Sequence, residues 1–503
     1  MTTAKKILGN TVIQVAGRAL MAITSIGILK AVSHFLSVEG YGMYTAVYEF
    51  LAFFGIVADF GLFTIGVREM SKGLRERSFV AGNIFGMRIV TAALAMGVAV
   101  VAAFVIPAYQ GTYIPGGISI AALAVFFAIL QGTASSVLQV ELKMQYATVA
   151  LVVGKLLSFG WMLAVIFYFF AGEPDQNSFN QLMVAGLVGN LFSFVFTYYY
   201  AERYAKLLPR FDKVYWKEVF VGAFPYGIAL VFNMIYFRID GIMILFIKGP
   251  QELGFYGPAM RILEILNVIP VFFMNSVLPV LSRALTEAET TGKAGVLKVE
   301  RILQLSMNFL YMAGLPMAIG LYLLAYPIIF IITQPEFMSQ LDKGIYGSDI
   351  ALQILAVAMC ISFSSSLYNY SLVALGQQSK LLWINGGAAV LNILVNLWAI
   401  PHWGFRGAAW TTVATEVFIL VVAGWVARRT VSYKIEWANF AKISFAGLAM
   451  GLTVYFLKDP TYELWGLQNF NVIVLTVLGA GVYIGLLFAL NVFPEEVRKK
   501  VQF

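Results

Sequence analysis

Long apolar runs separated by short polar interruptions set the pattern of this chain. A helix crosses the hydrocarbon core of a bilayer with about 20 apolar residues at about 1.5 Å rise per residue, and the pattern predicts about fourteen such spans. The first six run Ile7–Leu36, Met43–Gly66, Ala81–Pro107, Gly117–Leu142, Ala147–Ala171 and Phe179–Ala201. A basic connection with Arg203, Lys206, Arg210, Lys213 and Lys217 follows. The next six run Glu218–Ile247, Gly257–Leu281, Leu303–Thr333, Ile350–Leu375, Leu382–Ile400 and Gly407–Ala427, and two more cover Ala441–Leu457 and Phe470–Val492. The expected fold class is therefore all-α integral membrane. Residues 1–202 form a six-helix N-terminal lobe, 203–217 a linker, 218–429 a six-helix C-terminal lobe, and 430–503 the last two helices and a tail.

Lys and Arg are distributed unequally between the two sets of connections. One set holds Arg68, Lys72, Arg75 and Arg77, the linker, Arg283, Lys293, Lys298 and Arg301, then Arg428, Arg429 and Lys434, and terminal Arg498, Lys499 and Lys500. The other holds only Lys248, Lys343, Arg406 and Lys458. The positive-inside bias puts the first set, and with it both termini, in the cytoplasm. Lys5 and Lys6 precede the first run as in a signal peptide, but that run continues far past a short h-region and reads as a retained helix.

Composition excludes several functions. Only 12% of the 503 residues are charged and 60% are hydrophobic, against about 25% charged in soluble domains. The net charge of +8 is spread over short loops rather than gathered on one face, which argues against nucleic acid. One cysteine and two histidines leave no disulfide and no Cys- or multi-His metal site, so no metal and no bound cofactor is expected. No P-loop motif is present. The outer loops are too short to fold as domains, which opposes a membrane glycan polymerase or glycosyltransferase, and no catalytic residue is assigned.

A weak repeat supports the two-lobed plan. Gly42, Tyr44 and Glu49 after the first span are echoed at one constant offset by Gly254, Tyr256 and Arg261 after the seventh. Paired repeats are a common transporter architecture.

Ionisable residues inside spans are expensive and mark a substrate or ion path unless they pair. Asn10, Gln14, Arg18 and Ser25 share one face of the first helix. Arg18 lies near mid-membrane, and two readings fit: a cationic cavity wall, or an internal pair with Glu49 or Asp59. Lys30, Arg88 and Lys155 fit either a cavity lining or snorkelling to an interface. Arg238 and Asp240 are two residues apart and diverge around their helix, whereas Arg261 and Glu264, three apart, can satisfy each other. Asp240 shares a face with Asn233 and Tyr236, and Glu416 has no charged sequence neighbour in its span. Asp240, Glu416, Glu49 and Glu264 are the ion-coupling candidates. Asn385, Asn392 and Asn396 stripe one face of the eleventh span as helix-to-helix glue. Pro225, Pro270, Pro279 and Pro316 are expected to interrupt helices.

Three blocks carry a family resemblance: LSVEGYGMY at Leu36–Tyr44 with ADFGLFTIGVRE at Ala58–Glu69; FPYG at Phe224–Gly227, RID at Arg238–Asp240, ELGFYGPAMRI at Glu252–Ile262 and LPVLSRA at Leu278–Ala284; and Leu391–Val417. Together they resemble the polysaccharide transporter family, the lipid-linked oligosaccharide flippases of the multidrug/oligosaccharidyl-lipid/polysaccharide exporter superfamily. Ser37 stands where that family usually has glycine. The resemblance implies two pseudo-symmetric six-helix lobes, as in multidrug exporters of that superfamily, rocking between inward- and outward-open states. It implies a polyprenyl-diphosphate-linked glycan as cargo, a monomer sufficient for transport, and other glycan-assembly membrane proteins as partners in the cytoplasmic membrane. Arg18 and Arg261 lie on helices that carry head-group-binding arginines in related lipid II flippases; Arg18, Arg238, Arg261, Gln14 and Asn10 are the head-group candidates. The alternative is a cation-coupled multidrug exporter; a gradient of protons or sodium ions would drive either.

Overall fold

The computed structural model describes residues 3–170, 174–291, 293–430, 436–463 and 470–492. Lys434, Arg498, Lys499 and Lys500, and the expected boundary at Ala171, lie outside them, as do the side chains of Asn10, Pro225 and Asn233. Apart from one isolated bridge between Gln340 and Ile345, the described residues hold helices and turns only. Among the described residues, fourteen helical segments are long and apolar enough to cross a membrane.

Contacts divide the chain into two compact units, Met1–Gly254 and Phe255–Phe503. The first contains α1 (Thr3–Phe35), α2 (Val38–Asp59), α3 (Leu62–Lys72), α4 (Arg77–Val105), α5 (Ile114–Val140), α6 (Met144–Ala164), α7 (Gln176–Ala201), α8 (Lys213–Lys248) and the first turn of α9 (Pro250–Leu266). Its most enclosed helix is α5, which packs on α7, α4, α2 and α3. Helix α8, which the sequence reading grouped with the C-terminal lobe, lies against α2 in this unit.

Small residues bring these helices together. A Cβ on Gly154 of α6 would strike Gly189 O and Ser193 Oγ of α7, and one on Gly189 would strike Gly154 O and Ser158 Oγ. The backbones therefore touch, and Ser193 Oγ donates across to Ala150 O at 3.0 Å. Close backbone approach and hydroxyl bridges are how helices associate where no hydrophobic effect separates them from lipid.

The second span is broken. Helix α2 ends at Asp59, Phe60 (φ 40°) and Gly61 (φ 79°) take left-handed conformations, and α3 resumes at Leu62. A left-handed phenylalanine is costly and persists only where packing enforces it. Here its ring stacks on Phe220 of α8 at 5.7 Å and lies directly against Gly227.

The second unit contains the rest of α9, α10 (Val268–Thr291), α11 (Lys293–Leu323), the short α12 (Ala325–Ile332), α13 (Ser348–Ala374), α14 (Gln378–Trp403), α15 (Phe405–Thr430), α16 (Trp437–Glu463) and α17 (Asn471–Ala489). Its centre is α13, enclosed by α15, α11, α10 and α12. The α16–α17 pair attaches to α11 through Ile443, Met450 and Leu487, with Tyr483 Oη donating to Met312 O at 2.9 Å. The most enclosed spans, α5 and α13, are each the fourth of their six.

The proline expectation needs correction. Pro279 and Pro316 sit inside continuous helices, and α8 runs unbroken through position 225. Only Pro270 accompanies a break: it lies in the first turn of α10, just after α9 ends at Leu266 and Asn267 N donates to Leu263 O. A ring at 270 removes the N–H that Leu266 O would accept. The other freed carbonyls are tolerated inside a packed bundle. The break at Phe60–Gly61 carries no proline signal at all.

Candidate functional site

In the first unit the ionisable residues sort into pairs across helices. Arg238 of α8 donates through Nη1 to Glu49 Oε1 of α2 at 2.6 Å, with both side chains partly shielded. Asp59, at the α2 break, pairs with Arg88 of α4, which also donates to Thr133 Oγ1 of α5 at 3.1 Å. Thr91 Oγ1 donates to Ala58 O at 2.8 Å, so α4 holds the broken end of α2 twice. Lys155 of α6 donates to Ser25 Oγ of α1 at 2.5 Å. The snorkelling reading of Arg88 and Lys155 is thereby corrected: Arg88 is 3% exposed and points inward, and Lys155 bridges two helices.

Glu49 and Asp59, the carboxylates considered as partners for Arg18, pair with Arg238 and Arg88 respectively. Arg18 itself is exposed on α1 within a membrane-length segment, and Gln14 below it is half-buried. Asp240 is enclosed, 4% exposed, beside buried Tyr236 on α8.

The start of α2 and the α8–α9 turn meet through the glycines of the repeat. A Cβ on Gly42 would strike Pro250 O, and a Cβ on Gly254 would strike Val38 O. Val38 and Pro250 stand at the same offset as Gly42 and Gly254, so the contact is reciprocal: each repeat supplies the glycine that admits the other's backbone. Ser37 caps α2 by accepting Gly40 N–H at 3.1 Å.

In the second unit Arg261 Nη1 donates to Glu264 Oε2 at 2.8 Å, the pair that their spacing allows; the Arg261 side chain stays 45% exposed inside a membrane-length segment. Glu416 of α15 is buried and accepts from Ser365 Oγ of α13 at 3.3 Å. Ser362, one turn earlier on α13, donates to Asn267 Oδ1 at the α9–α10 break at 3.3 Å. Tyr256 Oη lies 3.5 Å from Thr412 Oγ1. Hydroxyl and amide groups on α13 and at the break thus stand near a buried carboxylate in this unit. Asn392 and Asn396 are buried on α14, where Asn396 Nδ2 donates to Asn392 Oδ1 at 2.9 Å. Asn385 on the same stripe is half-buried. No cluster of three His, Cys, Asp or Glu able to hold a metal occurs among the described residues.

Sequence reasoning did not reach the Asp59–Arg88 pair or the Ser362–Asn267 contact. Both residues of the first stand out in the sequence as charges within spans, but pairing across separate helices leaves no spacing signal.

The MatE family model matches residues 225–398. An uncharacterized membrane protein of Methanocaldococcus jannaschii is 25% identical over 361 residues, covering 69% of this chain and 65% of that relative, so the chain spans just under two thirds of that protein's length. Among solved structures, the lipid II flippase MurJ in an inward closed conformation is similar with a TM-score of 0.70 at 14% identity, over 95% of this chain and 98% of the other. A multidrug resistance MATE family transporter of the MOP superfamily, inward-facing, is similar with a TM-score of 0.67 at 14% identity, over 84% and 98%. At such identities the likeness establishes the fold, a multi-pass helical membrane architecture shared with that superfamily. The family model described as polysaccharide biosynthesis protein matches residues 4–285, more than half of the chain, and the chain belongs to that family.

Proposed function

We propose that this protein is a flippase that carries a polyprenyl-diphosphate-linked oligosaccharide across the cytoplasmic membrane by alternating access, as a monomer with both termini in the cytoplasm. The observation that carries the reading is the exposure of Arg18 and Arg261 within membrane-length helices of a chain from a polysaccharide biosynthesis family. A guanidinium kept accessible at such depth serves an anionic group, and its fork matches phosphate oxygens bidentately. Gln14 and Asn10 lie one and two turns before Arg18 on the same face and would add neutral hydrogen bonds to the head group. Arg238, tied to Glu49, supplies charge that the cargo competes for. The bodies that rock are the six-helix lobes read from the sequence, 1–202 and 218–429, and the packing of α8 on α2 is a contact that parts between states. Glu416 and Asp240, both enclosed, are the sites where a proton or sodium ion would couple; Glu49 and Glu264 change partner as the arginines engage cargo. The match of residues 225–398 to the MatE model favours a second reading, a cation-coupled multidrug exporter.

The test is leaflet exchange of a fluorescent polyprenyl-diphosphate oligosaccharide in liposomes, with wild type, Arg18→Gln and the paired variant Arg261→Gln/Glu264→Gln, which removes both members of that ion pair. Loss of one charge-assisted contact, about 1.5–3 kcal/mol, slows exchange by about tenfold or more in each variant. Unchanged exchange in both folded variants assigns the arginines to structure. Export of a cationic dye without lipid exchange by wild type establishes the exporter.

A further inference from the structure

Two cavities of the second unit share a wall at Cys360 of α13. One, of about 660 Å³, lies among α11, α13, α15 and α16 and is bounded by Tyr311, Trp425, Phe440, Arg428 and Arg429. The other, of about 600 Å³, continues along α11, α13 and α16 past Leu315, Ile319, Leu448 and Leu452, a lining almost free of polar atoms. Val421, Trp425, Leu448 and Leu452 on the rim are exposed, so the groove opens sideways, where lipid lies. From Phe440 to Tyr455 the groove follows α16 for about 22 Å at about 1.5 Å per residue. Half of a hydrocarbon core is about 15 Å, so a whole acyl chain fits along it.

The two ends differ in charge. Arg428 and Arg429 stand at the first chamber, and the Arg429 guanidinium lies 3.6 Å over the Trp425 ring, which fixes its position at the rim. This is the end that the Lys/Arg bias assigns to the cytoplasm, where anionic lipids attract basic residues. Glu436, a carboxylate at the start of α16, is held by Asn308 at 3.0 Å and Asn439 at 2.5 Å.

We propose that this groove is a binding site for one anionic phospholipid, its phosphate on Arg428 and Arg429 and an acyl chain laid past Cys360 along α11 and α16. An apolar groove open to a bilayer fills with some chain. The arginine pair decides which head accompanies it, because a guanidinium bonds a phosphate in a fixed geometry. The site stands on membrane residence and this unit's geometry, and does not depend on the transport reading.

Native mass spectrometry of the protein released from nanodiscs of phosphatidylcholine with a minority of phosphatidylglycerol reads it out. Wild type is expected to retain one phosphatidylglycerol in preference, and Arg428→Gln/Arg429→Gln to lose that preference by about tenfold, the loss of one charge-assisted contact. Cys360 is the chain's single cysteine, so a bulky lipophilic maleimide fills the groove in folded protein without any substitution. Alkylation is expected to expel the lipid, and phosphatidylglycerol to slow the alkylation. Equal retention of both lipids by wild type, or alkylation that leaves the retained lipid in place, overturns the proposal. Displacement of phosphatidylglycerol by added polyprenyl diphosphate overturns it too, and makes the groove part of a cargo path.

Discussion

Removing one member of the Asp59–Arg88 pair should cost far more than removing both. The Arg88 side chain is 4% exposed and that of Asp59 21%, and Thr133 supplies a further bond at 3.1 Å. Breaking a buried pair on one side leaves an uncompensated charge, at about 3–5 kcal/mol, whereas replacing both members with apolar groups of similar size is often neutral. The exposures order the two single variants. Asp59→Leu strands an enclosed guanidinium and belongs at the upper end, about 5 kcal/mol; Arg88→Met leaves a carboxylate with some access to water and belongs near about 3 kcal/mol. The double variant should lie within about 1–2 kcal/mol of wild type, so the cycle returns a large coupling. Equilibrium unfolding of purified protein in mixed micelles with increasing sodium dodecyl sulfate measures all four. Additive losses, or singles indistinguishable from wild type, would refute the claim that this pair holds the broken end of α2.

Gly254→Leu should force the α8–α9 turn away from α2, since Val38 O occupies the space a Cβ needs. Overpacking costs about 1–3 kcal/mol, so distances between spin labels on α2 and α8, in a Cys360→Ser background, should show the parted state enriched about tenfold. Gly160→Leu, which faces open space, is the control, and an equal shift there defeats the assignment. Glu416→Gln should uncouple exchange from an imposed proton or sodium gradient while leaving gradient-free exchange intact; a response equal to wild type removes Glu416 from coupling.

The membrane class, the number of spans and their approximate limits were legible in the chain itself. Burying twenty apolar residues in hydrocarbon is a local, additive property that needs no partner to be recognised. The repeat was legible as residues at one constant offset, and the Arg261–Glu264 pair as residues three apart on one helix; the capping role of Ser37 came from the structure. Tertiary structure alone decided which charges meet. Glu49 goes to Arg238 and Asp59 to Arg88, because partners on different helices are chosen by packing and not by sequence distance. It alone turned the repeat's glycines into a reciprocal backbone contact and placed the left-handed break at Phe60, where the ring is held by α8. Local sequence states how much polar chemistry the bundle must enclose; the helix packing, set by small residues facing small residues, states where that chemistry comes together.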